Sequence, residues 1–291
     1  MISDDNAGLR DDTDAAQERV ELNDAVRRRE SALLIVLAIV SIALEDLALT
    51  AKTVNRHQFA SGLLVFAIEI ALMVPFALRV NPRFGLPGAP LIAAMISGER
   101  LRFRIRSLLK ISVGYAFLAL MVGGAVIAIV FLPLALMHPK MQMAARPIMK
   151  LAPGRLAIIG TLVSIAAGVG EEIQFRLVSF AVFAWIASRF TLDSSGPSSR
   201  GALWFATIMQ AYAFGMIHRG PANDLLRLLG WSRSTIPILA SGLLVPQTWI
   251  GIVLGRLYLK RGLEASMLAH AIIDITLFVL LALTRSLLHT R

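Results

Sequence analysis

Seven apolar runs, at about 31–50, 60–79, 111–137, 156–190, 201–218, 236–259 and 263–288, restrict the fold of this 291-residue chain. A helix that crosses a bilayer needs about 20 predominantly apolar residues, and most of these runs reach that length. With 56% hydrophobic residues and a mean hydropathy of +0.69, the chain carries more apolar surface than a soluble domain of this size can hide. The expected fold is all-α: a polytopic transmembrane helix bundle with seven, possibly eight, spans. The doubt lies in 156–190, which as one upright helix would reach about 50 Å. It is either one long tilted or broken helix, or two shorter ones with the acids at 171 and 172 at their junction. Basic residues near the span ends do not separate these options. Depth does: a single crossing places Glu171 and His218 mid-helix and His270 about 12 Å from the same face, so seven spans are preferred.

The first 30 residues differ from the rest, with nine acids and five arginines against ten acids and 24 basic residues afterwards. This acidic stretch precedes the first apolar run and reads as a polar cytosolic tail, in part a surface helix over 14–31, not as a signal peptide. Arg27, Arg28 and Arg29 before the first run point to a cytoplasmic N-terminus by the positive-inside rule. Between the second and third runs, a Pro/Gly-rich break (NPRFGLPGAP) leads into a basic amphipathic loop at 98–110, with Arg100, Arg102, Arg104, Arg106 and Lys110 suited to anionic headgroups. Three regions follow: a tail at 1–30, N-terminal transmembrane helices at 31–150 and a C-terminal transmembrane core at 151–291. The absence of cysteine excludes disulfides and thiol catalysis. The basic residues lie in loops beside apolar runs without interleaved aromatics, so no nucleic-acid partner is expected. Arginine outnumbers lysine 24 to 5, which fits a GC-rich bacterial genome and a multi-pass inner-membrane protein.

Glu171 and Glu172 lie in the middle of the 156–190 run. A charged side chain at the centre of a bilayer helix costs about 2.5–3.5 kcal/mol, so two adjacent acids there mark a functional site. Glu172 and Arg176 are four apart with the acid first, the favourable order for a helical ion pair. Glu171 points about 100° away and is left for other work. Phe214 and His218 are four apart on a later run, where Gly215 would let a neighbouring helix approach. His270 and Asp274 are four apart on the last run. Each pair alone reads as helix–helix glue; three polar clusters in three apolar helices point to chemistry.

The order EExxxR, FxxxH, Hxxx(N/D) resembles the CPBP family of membrane proteins, which includes the type II CAAX prenyl endopeptidases and bacteriocin-processing or Abi-like proteins. Here the motifs read Glu171-Glu172…Arg176, Phe214…His218 and His270…Asp274, and the resemblance covers about 156–280. It implies a metal-independent intramembrane glutamic endopeptidase with no cofactor, acting on a membrane-associated or lipidated peptide or protein. Glu171 would be the general base that polarises a water with His218, and His270 with residue 274 would stabilise the oxyanion. Glu172, Arg176 and Phe214 would support the scaffold. A carboxylate and donors in a low-dielectric chamber suit proton transfer and oxyanion stabilisation. The prenyl endopeptidases carry asparagine where this chain has Asp274. An ionised aspartate cannot donate; it would instead set the tautomer and tilt of His270, or donate when protonated.

Two other functions fit the same residues: a metal-dependent hydrolase with Glu171, His218 and His270 as ligands, and a non-enzymatic scaffold or bacteriocin-immunity-type protein. Proton-coupled transport predicts inverted repeats, and none is seen. Glu45 and Asp46 read as reaching the interface near Lys52, while Glu69 reads either as part of a polar chamber or as a residue paired with a buried donor. The stretch after His218, with Trp231, reads as an interfacial connector.

Overall fold

The computed structural model describes residues 6–50, 56–131, 151–190, 200–219 and 245–289. Among these, the chain is helical, with no strand. Helix α1 spans Asn6–Thr50 and α2 Arg56–Val80. After a 3₁₀ turn at Asn81–Phe84 come the short α3, Pro90–Ile96, and α4, Arg102–Val126, which passes into a π-helical stretch, Ile127–Phe131. Helix α5, Pro153–Glu172, continues through a π-helical segment, Ile173–Ser179, into α6, Phe180–Ser188. Helices α7, Arg200–Ile217, α8, Pro246–Arg261, and α9, Leu263–His289, complete the bundle. Among the described residues, four stretches are long and apolar enough to cross a membrane: Phe59–Phe84, Arg104–Ile129, Pro153–Ser188 and Leu263–Leu287.

The 156–190 run is thus one continuous helical stretch of 36 residues, long and locally unwound as the first alternative held. The expected connector around Trp231 and the first part of the 236–259 run lie outside the described residues. At two places the helices are longer than anticipated. The polar N-terminal stretch and the first apolar run form a single helix, because no proline interrupts 6–50. The basic residues from Arg102 onward are the opening turns of α4 and not a separate surface-lying piece. There Arg104 pairs with Glu99 at 2.7 Å, an exposed bridge of little energetic weight.

The bundle wears its apolar residues outside. On α2, Leu64, Val65, Ile68 and Leu72 are exposed, and so are Val113, Phe117 and Met121 on α4 and Leu277, Leu280, Leu283 and Leu287 on α9. Stripes of this size on several helices match hydrocarbon, not water. Where α4 and α9 meet, the contact is made by small side chains, Ala116, Ala119, Ala265 and Ala269. Lipid offers no hydrophobic drive between helices, so small residues that permit close contact hold them together.

Helix α5 lies chiefly against α9, with α1 on its other side. A Cβ at Gly168 would stand 3.0 Å from both the Ala271 backbone N and the Met267 backbone O of α9. Gly170 is packed by Ser41 and Ile42 of α1. These contacts bring Glu171 and Glu172 beside His270. In the same way a Cβ at Gly215 would collide with Thr248 of α8, which confirms the close approach expected there.

At one end of the bundle the 81–97 segment is stitched to the α8–α9 turn. Gly262 adopts φ 92°, and the next N–H, of Leu263, donates to the Gly88 carbonyl at 2.9 Å. Asn81 Nδ2 donates to the Tyr258 hydroxyl at 3.1 Å. The N-terminus of α3 meets two carboxylates: Glu264 Oε1 accepts from the Ile92 N–H at 2.7 Å, and Glu30 accepts from the Ala89 N–H. Anions are stabilised at a helix N-terminus. Burial, reinforced by repulsion from Glu264, nevertheless pushes the Glu30 carboxyl up to about 7.

Two expectations follow. Gly168→Val should force α5 and α9 apart and lower stability by about 1–3 kcal/mol, read as a drop in melting temperature of the detergent-solubilised protein. Because Glu30 holds its proton more tightly when folded, its carboxyl favours the fold below the ordinary carboxylate range, and this advantage fades as pH rises towards 7. Glu30→Gln should therefore raise the melting temperature at pH 8 and change it little at pH 4.

Candidate functional site

Just after α5 ends at Glu172, the helix widens into the π-helical turn Ile173–Ser179. Single π-turns inside α-helices often accompany functional sites. Arg176 falls within this turn, and its Nη1 lies 3.0 Å from Glu172 Oε1, with both side chains fully buried. A buried ion pair needs further polar partners, since desolvation of each ion costs several kcal/mol. One comes from α9: Glu172 Oε1 also accepts from His270 Nδ1 at 2.7 Å. Another group is the Phe214 ring of α7, whose centre is 4.4 Å from the Arg176 guanidinium carbon.

Phe214 is itself buried and organises three neighbours. Its ring meets those of Phe175, His218 and His270 edge-on at centroid distances of 5.3, 4.9 and 5.6 Å. The support expected of Phe214 is thus a physical contact with both imidazoles and the guanidinium.

The two histidines converge on Glu171. His218 follows the end of α7, and its Nδ1 lies 2.9 Å from the Phe214 carbonyl oxygen. A carbonyl only accepts, so Nδ1 carries the proton and Nε2 is the acceptor in the neutral ring. That Nε2 is 4.0 Å from Glu171 Oε1. His270 is tied in the same sense: Nδ1–H donates to the Glu172 carboxylate, and Nε2 lies 3.9 Å from Glu171 Oε2. Glu171 is buried, and among the described residues no donor gives its Oε2 a hydrogen bond. Asp274 Oδ2 is 3.5 Å from His270 Nε2 and is the most open of these carboxylates.

All seven residues singled out in the sequence, Glu171, Glu172, Arg176, Phe214, His218, His270 and Asp274, therefore meet in one cluster. Three details differ from expectation. The two acids share a partner, with His270 between them, although they point about 100° apart. Asp274 does not set the tautomer of His270, because Glu172 occupies Nδ1 and Asp274 faces Nε2. His218 stands just past the end of its helix, not at mid-helix.

One residue that the sequence did not single out as part of the site belongs to it. Glu45 of α1 is half-buried and acts electrostatically on Glu171, together with His270, Asp274 and Arg176. It sits one helical turn beyond Ser41, which packs on Gly170, and because that packing joins two distant helices no spacing in the sequence marks it. Glu69 is exposed on α2, away from the cluster. The side chain of Asp46 is outside the described residues.

Among the described residues, no three His, Asp or Glu side chains are placed to hold a metal ion. The separations of 3.9–4.0 Å between Glu171 and the ring nitrogens are wider than the roughly 3.4 Å between tetrahedral ligands of zinc at about 2.1 Å. The donor set as arranged does not fit that group.

The molecule is an integral membrane protein, helical throughout its described residues, with a largely buried carboxylate–imidazole cluster at the junction of four helices. Residues 153–276 match the family model of type II CAAX prenyl endopeptidase Rce1-like proteins, which agrees with the CPBP resemblance carried by the three motifs. That family is one of membrane proteases, so the match supports a CAAX-protease-like membrane endopeptidase. No curated protein matches the chain, and no solved structure does.

Glu172→Ala should leave Arg176 buried without its carboxylate and release His270 Nδ1. The expected loss is about 3–5 kcal/mol. Chemical denaturation in detergent would measure it; wild-type stability would remove Glu172 from its central place.

Proposed function

We propose that the protein is an intramembrane glutamic endopeptidase that cleaves a membrane-associated or lipidated peptide, using water and no metal. The observation that carries this reading is the pair of imidazole Nε2 atoms set 4.0 and 3.9 Å from the two oxygens of one buried carboxylate. Those gaps are too long for direct hydrogen bonds and suit a bridging solvent molecule. Two legs of about 2.8 Å from Glu171 Oε1 and His218 Nε2 would meet at a water oxygen at about 90°.

In that position the water donates one O–H to Glu171 and the other to His218. Attack on the scissile carbonyl transfers a proton to Glu171, the general base. The carbonyl oxygen becomes an oxyanion on the side of His270. With a proton on Nε2, that ring donates to the oxyanion while Nδ1–H remains anchored to Glu172. Collapse of the tetrahedral intermediate breaks the C–N bond, and the proton held by Glu171 passes to the departing amine. Asp274 accepts from His270 Nε2 and orients it between turnovers; ionised, it is not a second oxyanion donor, unlike the asparagine of prenyl endopeptidases. The open side of the cluster, at Asp274, is where a peptide would enter.

The test is comparative membrane proteomics of cells carrying wild-type protein or Glu171→Gln. A peptide should accumulate uncut in the variant while the protein inserts and melts normally, and His218→Ala should do the same. Removing an activated-water base of this kind should cost about 10²–10⁴ in rate. Activity should survive chelators, whereas loss restored by zinc would favour the metal-dependent hydrolase. Full function of Glu171→Gln would favour the scaffold or immunity-type reading.

A further inference from the structure

Away from the carboxylate–imidazole cluster, α1 and α2 enclose a cavity of about 330 Å³ at the end of the bundle that carries α3. Three arginines line it: Arg27 and Arg28 from α1 and Arg79 from α2. Ser31 adds a hydroxyl, and Pro75 and Leu78 form an apolar wall. Asp24 is the one acid on its lining, so positive charge prevails. A smaller cavity of about 240 Å³ shares Arg27 and Leu78 and reaches Asn81 and Glu30. The rise of Glu30 towards 7 on burial weakens its competition for Arg27.

The placement is as telling as the charge. Arg28 stands just before the 31–50 apolar run, and Arg79 ends the 60–79 run. Both therefore mark the level at which hydrocarbon gives way to headgroups. A pure topology anchor needs only bulk water around it; here guanidinium groups from two helices line one recess. Arginine presents a planar fork that matches phosphate oxygens two at a time. Below the recess the same face of α2 is apolar: Leu72 and Val65, seven and fourteen residues before Arg79, are 68% and 66% exposed. Seven-residue steps stay on nearly one helix face.

We propose that this recess binds the phosphodiester headgroup of an anionic glycerophospholipid, with Arg28 and Arg79 as its principal contacts and an acyl chain along Leu72 and Val65. A free phosphate ester would share the headgroup chemistry without using the apolar track, and the experiment separates the two.

Full-length protein in neutral detergent would be titrated with phosphatidylglycerol or phosphatidylcholine and read by native mass spectrometry. The wild type should prefer phosphatidylglycerol by about tenfold or more, and R28Q/R79Q should weaken that binding about 10- to 30-fold. Its melting temperature without added lipid should stay near wild type. R104Q/R106Q, outside the recess, should keep the preference within about twofold. If the double variant fails to fold, Arg79→Lys, which keeps the charge and loses the fork, should still weaken binding several-fold. Absence of headgroup preference, equal loss in both double variants, undiminished binding by Arg79→Lys, or full competition by glycerol 3-phosphate would each overturn the proposal. None of these readouts depends on peptide cleavage, so the outcome is separate from the fate of the endopeptidase reading.

Discussion

A carboxylate with no exposed surface holds this structure's polar interior together. Glu172 Oε1 lies 3.0 Å from the Arg176 guanidinium and 2.7 Å from His270 Nδ1, so one oxygen joins the α5–α6 stretch to α9. In a hydrocarbon surround, neither cation nor imidazole has water to fall back on, and each group makes the others tolerable. Phe214 closes the arrangement from α7 by laying its ring against the guanidinium and both imidazoles. Glu171 is then the carboxylate that faces both imidazole Nε2 atoms, and among the described residues no donor reaches its Oε2. Its chemistry depends on its neighbour's constraint.

That constraint works only because the backbones come close. Gly168 meets the backbone of α9, Gly170 meets α1 and Gly215 meets Thr248 of α8. Each lies within three residues of a polar residue of the cluster. Tight helix contact and polar placement are thus one device: the glycines set the distance, and the distance lets short side chains such as Glu and His bridge helices. The wide apolar faces left outside are matched to lipid, while Phe180, Phe214 and Tyr258 fill the interior between the close contacts.

Much of this could be read from the residues alone. The apolar runs marked the helices, because lipid leaves a spanning backbone few alternatives. The three pairs at four-residue spacing marked the cluster, because ionisable groups in such runs are costly. What escaped was geometry that no spacing encodes. The helical wheel sends Glu171 and Glu172 to different faces, yet His270 spans both through its two ring nitrogens. Asp274, on the same helix as His270, was expected to set its tautomer, but Glu172 from another helix holds Nδ1 and Asp274 faces Nε2. Glu45 looked interfacial because its electrostatic influence on Glu171 depends on how α1 packs on Gly170. The merging of the acidic tail and the basic loop into long helices went unseen because polar composition suggests a boundary, while a helix runs on through polar residues as readily as through apolar ones.

The π-helical turn at Ile173–Ser179 has a consequence for how this chain can change. Such a turn carries one residue more than an α-helical turn, so it takes up an extra residue between the acids before it and α6 after it. Deleting a single residue there would turn the wide coil into an α-helical one while the helices on either side kept about the same mutual phase. The change would fall on the turn itself, where Arg176 would be drawn to a new position against Glu172. A change of length in this segment therefore acts on that ion pair and leaves the rest of the rod as it was.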